Sequence, residues 1–500
     1  MRPGELGVDG AEGTLPGEAR VVVIGGGVAG CSLLYHLTRL GWNDVVLVEK
    51  DELTSGSTWH AAGLCTQYIP SYNLMKLLQY SLDLYGSLEA ETGQTVDFHR
   101  CGSVRLAESP DRLDDFHYRK GIADTLGVPF EIVSPERARE LFPLLDLDGV
   151  VGAAHLPTDG HVEPSDVTQA LAKGARSKGA KIFRHTAVTA IERSGGTWLV
   201  RTSKGDIRAE IVVNAAGQWA KQVGRMVGVD LPIVPLEHQF LVTEPVEELS
   251  SLEVELPVLR DSAASFYVRE EGGGLLVGPF ERKPKPWALE GIPEDFHSSL
   301  LPPDLDRLAE VLEAAASRVP AFANAGIKSI INGPDGYTPD GKCLMGPVPG
   351  LSGFHVLAGF SIFGIVFGGG AGKYAAEWIV EGQPSDNMWE LDVRRFGAYA
   401  NSAEYVAERA CDVYEREYAI HYPEEERPAG RPLKTSPLHD KLLAKGAVFG
   451  ARFGWERPLW FSPEGPARDE YSFHRGNWHT SVGDECKAVR RSVGVLDQMS

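Results

Sequence analysis

Apolar and polar positions alternate along this chain in blocks that switch period. Val21 to Ile24 is an unbroken β-branched run and predicts a buried strand. Gly25-Gly26-Gly27 predicts a sharp turn, and Val28 to Leu40 carries apolar residues at helical spacing, with Gly41 placed to end the helix. Val45 to Val48 predicts a second strand that ends at the acidic Glu49. The glycines fall as G-x-G-x-x-G at Gly25, Gly27 and Gly30, between a strand and a helix. Glu49 follows about 20 residues on, where a carboxylate accepts ribose hydroxyls. That context predicts a dinucleotide held by its phosphates at the helix N-terminus.

Downstream, helical patterning is expected at Met75 to Glu91, from Pro135, from Pro164 to Lys178 and from Pro303 to Val319. Strands are expected at Asp97 to Ala107, Lys181 to Arg193, Thr197 to Thr202 and Ile211 to Gly217, the last ending in small residues suited to packing on a dinucleotide. From Leu231 to Arg282 strand follows strand, which predicts an antiparallel sheet inserted into a nucleotide-binding domain and covering the reactive end of the cofactor. Gly359 to Gly364 and Gly368 to Gly372 read as a glycine-rich turn before a helix through Val380. The fold class is α/β: a Rossmann-like FAD-binding domain with an inserted antiparallel-sheet substrate domain, a small linker domain and a truncated C-terminal domain. The expected divisions are a disordered tail at 1–18 and an oxidoreductase domain at 19–382. Within the latter, the substrate sheet lies mainly at 95–150 and 230–320. A linker domain follows at 383–436, and the start of a further domain at 437–500.

Composition narrows the class. The net charge of −20 argues against nucleic acid and anionic membrane as partners. The aromatics from Phe449 to Trp478, interleaved with basic residues, therefore read as the opening of a domain core rather than a single-strand binding surface. Phe354 to Ala371 is the most apolar run and is broken by glycines, so no membrane span is expected. Six scattered cysteines read as reduced thiols, which predicts a cytoplasmic protein, with the mitochondrial matrix as the alternative. His155 and His161 lack a third ligand at useful spacing, so no metal is expected. From chemistry alone His60 is either a loop histidine or a special one.

Eight motifs in order resemble one family: VVVIGGGVAG, GSTWHAAG, VVNAAGQWA, PLEHQFLVT, YVREEGGGLLVGPFE, NGPDGYTPDG, GFSIFGIVFGGGAGKYAAEWI and SPLHDKLLAKGAVFGARFGWERP. They are similar to the dimethylglycine and sarcosine dehydrogenases, flavin-dependent amine oxidoreductases related to D-amino-acid oxidase. The resemblance implies FAD attached covalently through His60, and active-site positions for His238 and Tyr267. The expected cofactor contacts are Gly25, Gly27, Gly30, Glu49, Lys50, Ser57, Thr58, His60, Gly63, Val188, Ala216, Gly217, Trp219, Gly359, Ile362, Gly364 and Ile365.

The implied reaction oxidises a small N-methyl amine by hydride transfer to flavin N5. The iminium product hydrolyses to formaldehyde, and oxygen or an electron-transfer flavoprotein takes the electrons. The SIFGIVF segment leans toward dimethylglycine. No basic residue precedes Lys373 in the Gly359 to Gly372 segment, which leaves the substrate carboxylate without an evident partner there. Residues 437–500 resemble the beginning of an aminomethyltransferase-like domain. Tetrahydrofolate is expected only if that domain is complete, and the chain reads as the front of a longer protein. The alternatives are a non-catalytic relative resembling the pyruvate dehydrogenase phosphatase regulatory subunit, and a folate-dependent aminomethyltransferase in a longer chain.

Overall fold

A computed structural model describes residues 13–495. The expected tail therefore lies outside the described residues as far as residue 12, and its last residue, Glu18, already belongs to a strand. That strand, β1 (Glu18–Ile24), leads into helix α1 (Val28–Arg39) and strand β2 (Val45–Val48). Val21, Val22 and Val23 are wholly buried, each contributing about 1.5–3 kcal/mol of burial. β1 lies between two parallel neighbours, β2 on one side and Gly205–Asn214 on the other. The chain thus leaves β1 in one direction and returns on its other flank. In an open parallel sheet this switch point opens a crevice beyond the strand ends, where ligands bind. Lys181–Phe183 extends the sheet beyond β2, and Phe354–Ala358 with Leu344–Pro347 extends it beyond Gly205–Asn214.

The second sheet has eight strands in the order Ile327–Tyr337, Val234–Thr243, Gly274–Pro279, Phe266–Glu271, Val258–Asp261, Ser103–Ala107, Gly152–Leu156 and Glu131–Val133. All pairings are antiparallel except Val258–Asp261 with Ser103–Ala107. Its strands at Gly152–Leu156 and Ile327–Tyr337 lie beyond the 95–150 and 230–320 segments expected from sequence. Every residue of Val234–Thr243 is buried. Such a strand has both faces covered, so its sequence need not alternate.

Three local expectations need correction. The strand expected from Asp97 begins only at Ser103, because Asp97 and Gly102 both have positive φ. Lys181 to Arg193 is two strands, broken at His185 (φ 50°). Gly368 to Gly372 is not a turn but the interior of a helix, Gly364–Glu381. The glycines are there for close packing: a Cβ would sit 2.6 Å from Leu77 at Gly370 and 2.2 Å from Ser32 Oγ at Gly372. They let this helix press onto α1 and onto Tyr72–Thr92, at a helix-propensity cost of about 1 kcal/mol per glycine.

Past residue 382, the helix Ala403–Glu415 packs on the second sheet through Val406, Ala410 and Tyr414. Residues beyond 437 form the hairpin Ala447–Arg452 with Trp455–Phe461 and the helix His479–Arg491. Among the described residues no helix is long and apolar enough to cross a membrane.

Candidate active site

A cavity of about 660 Å³ runs from the N-terminal turn of α1 to the buried face of the second sheet. Of the site residues expected from sequence, all but Gly30 line it, His238 and Tyr267 included. Gly30 sits behind the wall, where a Cβ would be 2.0 Å from the Gly25 carbonyl, so its part is to let α1 approach β1. Gly25 (φ 114°) makes the turn, and a side chain there would strike the Ala215 carbonyl at 2.4 Å.

At this end the chemistry suits a dinucleotide. Gly26, Gly27, Val28 and Ala29 place the start of α1 on the cavity, where free N–H groups and the helix dipole favour phosphate. The Thr58 hydroxyl accepts the Val28 N–H at 3.2 Å. Thr58→Ala is therefore expected to cost about 0.5–2 kcal/mol, seen as a lower denaturant midpoint at unchanged slope. Glu49 accepts the Gly26 and Asp51 N–H groups at 2.7 and 2.9 Å, leaving lone pairs for a ribose. Burial raises its carboxyl pKa against these hydrogen bonds. Lys50 lies 3.9 Å over the Trp219 ring. The buried Trp219 Nε1 and Gln218 Oε1 atoms on this wall have no protein partner.

The middle of the cavity holds the half-buried His60, where desolvation pushes the imidazole down to about 4 and keeps it neutral. Across from it, Ser361 (φ 50°) and Ile362 (φ 72°) take left-handed backbone conformations. For a β-branched residue this is a strained state of about 1–3 kcal/mol. The Asp335 carboxylate accepts the Ile362 N–H, and Ser361 N–H donates to the Gly336 carbonyl at 3.0 Å, which hold the loop in place.

At the far end lies a relay that sequence reasoning missed. His238 Nδ1 is 2.9 Å from the Tyr414 hydroxyl, which donates to Glu281; Arg307 holds Glu281 at 3.1 Å. With its proton given to Glu281, the Tyr414 oxygen accepts from Nδ1–H. That fixes the tautomer and leaves Nε2 of His238 with its lone pair, 3.3 Å from the Tyr267 hydroxyl. Burial, with His60 and Arg307 adding to it, drives the His238 pKa down to about 3. Tyr414 lies 176 residues from His238 in the chain, on a helix that carries no motif pointing to this contact.

His155 and His161 do not form a pair; His161 instead stacks on His99 with ring centroids 4.7 Å apart, and each ring bonds one Glu255 oxygen. Donor atoms of His99, His161 and Glu255 lie within 4.8 Å of one another, so the third donor that the local spacing lacked comes from a distant segment.

Residues 20–378 match the family model described as FAD dependent oxidoreductase. The chain belongs to the FAD-dependent oxidoreductase family. Within it, residues 381–436 match the FAD dependent oxidoreductase central domain, and residues 438–500 match the GCVT N-terminal domain. The chain is 44% identical to the mitochondrial dimethylglycine dehydrogenase of Rattus norvegicus over 96% of its length. It is 37% identical to the mitochondrial sarcosine dehydrogenase of Homo sapiens over 97%. It spans 56% of the length of each of these relatives. Among solved structures, L-proline dehydrogenase from P. horikoshii superposes with a TM-score of 0.68 at 28% identity, covering 76% of this chain and 98% of that one.

Proposed function

We propose that this family member catalyses the oxidative N-demethylation of a small N-methyl amino acid of the dimethylglycine or sarcosine type. The observation that carries this reading is the continuity of one cavity. It joins a phosphate-binding helix start, a neutral histidine at the GSTWHAAG position, and a second neutral histidine whose lone pair faces the same space. Gly25 to Ala29 would hold the FAD pyrophosphate, Glu49 its ribose, the Gly359 to Ile365 loop its ring system, and His60 would attach it covalently. Bound there, FAD supplies a two-electron acceptor for the C–H bond beside the amine nitrogen.

The protein's own part is orientation and proton placement. Phe240, Phe280 and Ile362 wall the cavity and exclude water, which favours the amine as its free base. His238, held neutral by burial, accepts a hydrogen bond from the amine N–H at Nε2 and so orients the free base, while Tyr414 and Glu281 fix its tautomer. Tyr267 stays a neutral phenol, since burial raises its pKa, and it aligns the substrate beside His238. Hydrolysis of the resulting iminium releases formaldehyde. Oxygen or an electron-transfer flavoprotein serves as acceptor. The mitochondrial setting of the named relatives makes the matrix the compartment that suits this chemistry.

Aerobic incubation with dimethylglycine, sarcosine or the parent glycine tests this directly. One formaldehyde per methyl amine consumed is expected, fastest with dimethylglycine, and none with glycine. Amine consumption without formaldehyde would contradict the reading. Tyr414→Phe should lower kcat about 10-fold or more by releasing the His238 tautomer, while leaving bound flavin unchanged.

A further inference from the structure

The buried arginines of this protein have carboxylate partners almost throughout. Arg112 and Arg119 share Asp115, Arg269 pairs with Glu271, and Arg395 with Asp340. Arg260 and Arg105 are exceptions. They are 7% and 6% exposed, and neither makes an ion pair among the described residues. The Nε of each is sealed from water and has no hydrogen-bond partner. Arg260 Nη1 donates to the Tyr418 hydroxyl at 3.2 Å. Arg105 reaches Ser262 Oγ at 3.5 Å and lies against the rings of Tyr68 and Tyr418. Asp159 also attracts Arg260, but its oxygens are taken by Thr66, Ser103 and the Gln67 N–H. Glu417 is the carboxylate whose charge bears on both, but no hydrogen bond or ion pair joins it to either among the described residues, so each buried guanidinium keeps donor capacity for an incoming anion.

Arg260 lines the same cavity as His60 and His238. In the strand register it stands directly opposite Tyr267, so the two side chains share a face of the sheet. Tyr267 in turn reaches His238. The wall therefore runs from cation to phenol to imidazole. We propose that Arg260, with Arg105 behind it, binds the substrate carboxylate while the amine lies at His238; this assignment rests on the N-methyl amino acid reading above. It also answers the absence of a cation in the glycine segment: Lys373 pairs with Glu377 and does not line the cavity. Glu417 lines the cavity beside both arginines and competes with the incoming carboxylate.

The test uses the flavin-loaded protein and methoxyacetate, a carboxylate without an oxidisable amine, followed by calorimetry. Binding to Arg260→Met is expected to be roughly 10- to 100-fold weaker than to wild type, the range for a charged hydrogen bond. Arg260→Lys should fall between. In turnover, Arg260→Met should raise KM for dimethylglycine by a similar factor with kcat nearly kept, and leave KM for dimethylglycine amide unchanged. Equal methoxyacetate affinity in wild type and Arg260→Met, or no binding to wild type, would overturn the assignment. If Arg260→Met does not fold, Glu417→Gln decides: tighter methoxyacetate binding supports the site, and unchanged or weaker binding opposes it. Arg260-dependent methoxyacetate binding in a protein that oxidises neither amine would keep the anion site and remove the demethylation reading.

Discussion

Replacing His60 by alanine is expected to convert acid-stable, protein-bound flavin into flavin that is wholly released by acid. His60 is a neutral imidazole inside the cavity, so a ring nitrogen lone pair is available for a covalent bond. Its ring is packed edge-on against Trp59 at 5.6 Å and lies over the backbone of Gly333, where a Cβ would come within 2.3 Å of Cε1. The contacts at Gly25 to Ala29 and at Glu49 do not involve His60, so the variant should still bind FAD non-covalently. Gly333→Ala should weaken attachment by displacing the ring, without removing it. Precipitating each protein with acid and measuring yellow colour in pellet and supernatant checks this. Wild-type flavin recovered entirely in the supernatant would contradict the attachment.

Asp115→Ala should cost about 3–5 kcal/mol of stability, the range for breaking a buried ion network from one side. Asp115 is fully buried and accepts from Arg112 at 3.1 Å, Arg119 at 2.9 Å and the Tyr68 hydroxyl at 2.5 Å. Its removal leaves two guanidinium groups buried without a counter-charge. Burial pushes this carboxyl up, but Arg119, Tyr68 and Arg112 together hold it below its ordinary 3.8. A depressed folded value means that its stabilisation is present above the unfolded pKa and lost as pH falls through the folded one. The gap between wild type and Asp115→Ala in urea midpoint should thus be full at neutral pH and shrink below about pH 4. A gap under about 1 kcal/mol at pH 7 would mean the network relaxes around the loss.

What was legible in the sequence was what local pattern determines. The β-branched run Val21 to Val23, the glycine spacing and the position of Glu49 describe one strand–turn–helix–strand unit, and short-range sterics leave it few alternatives. The GSTWHAAG and PLEHQ histidines came from resemblance, and both line the cavity. The rest depended on distant partners. Gly368 to Gly372 resembles a turn until Leu77 and Ser32 are seen to occupy the space of the missing side chains. Tyr414 reads as one apolar residue of an amphipathic helix; only the packing of that helix on Val234–Thr243 brings its hydroxyl to His238. Arg260 sits in a short strand whose four residues are all buried, so no alternation marks its direction. His161 found its partner in His99 across an antiparallel backbone bridge, rather than in the histidine six residues before it.

The account stands most directly on the redox half-reaction, and an anaerobic titration of purified protein measures it. Oxygen-free protein carrying oxidised flavin is mixed with dimethylglycine and then, separately, with sarcosine, while the flavin absorbance near 450 nm is followed (about 450 nm being the general oxidised-flavin band). Loss of that absorbance in proportion to the amine added, more readily with dimethylglycine, is the predicted result. Recovery on admitting air would identify oxygen as a competent acceptor. Protein that visibly carries flavin and keeps its colour with both amines would contradict the N-demethylation reading.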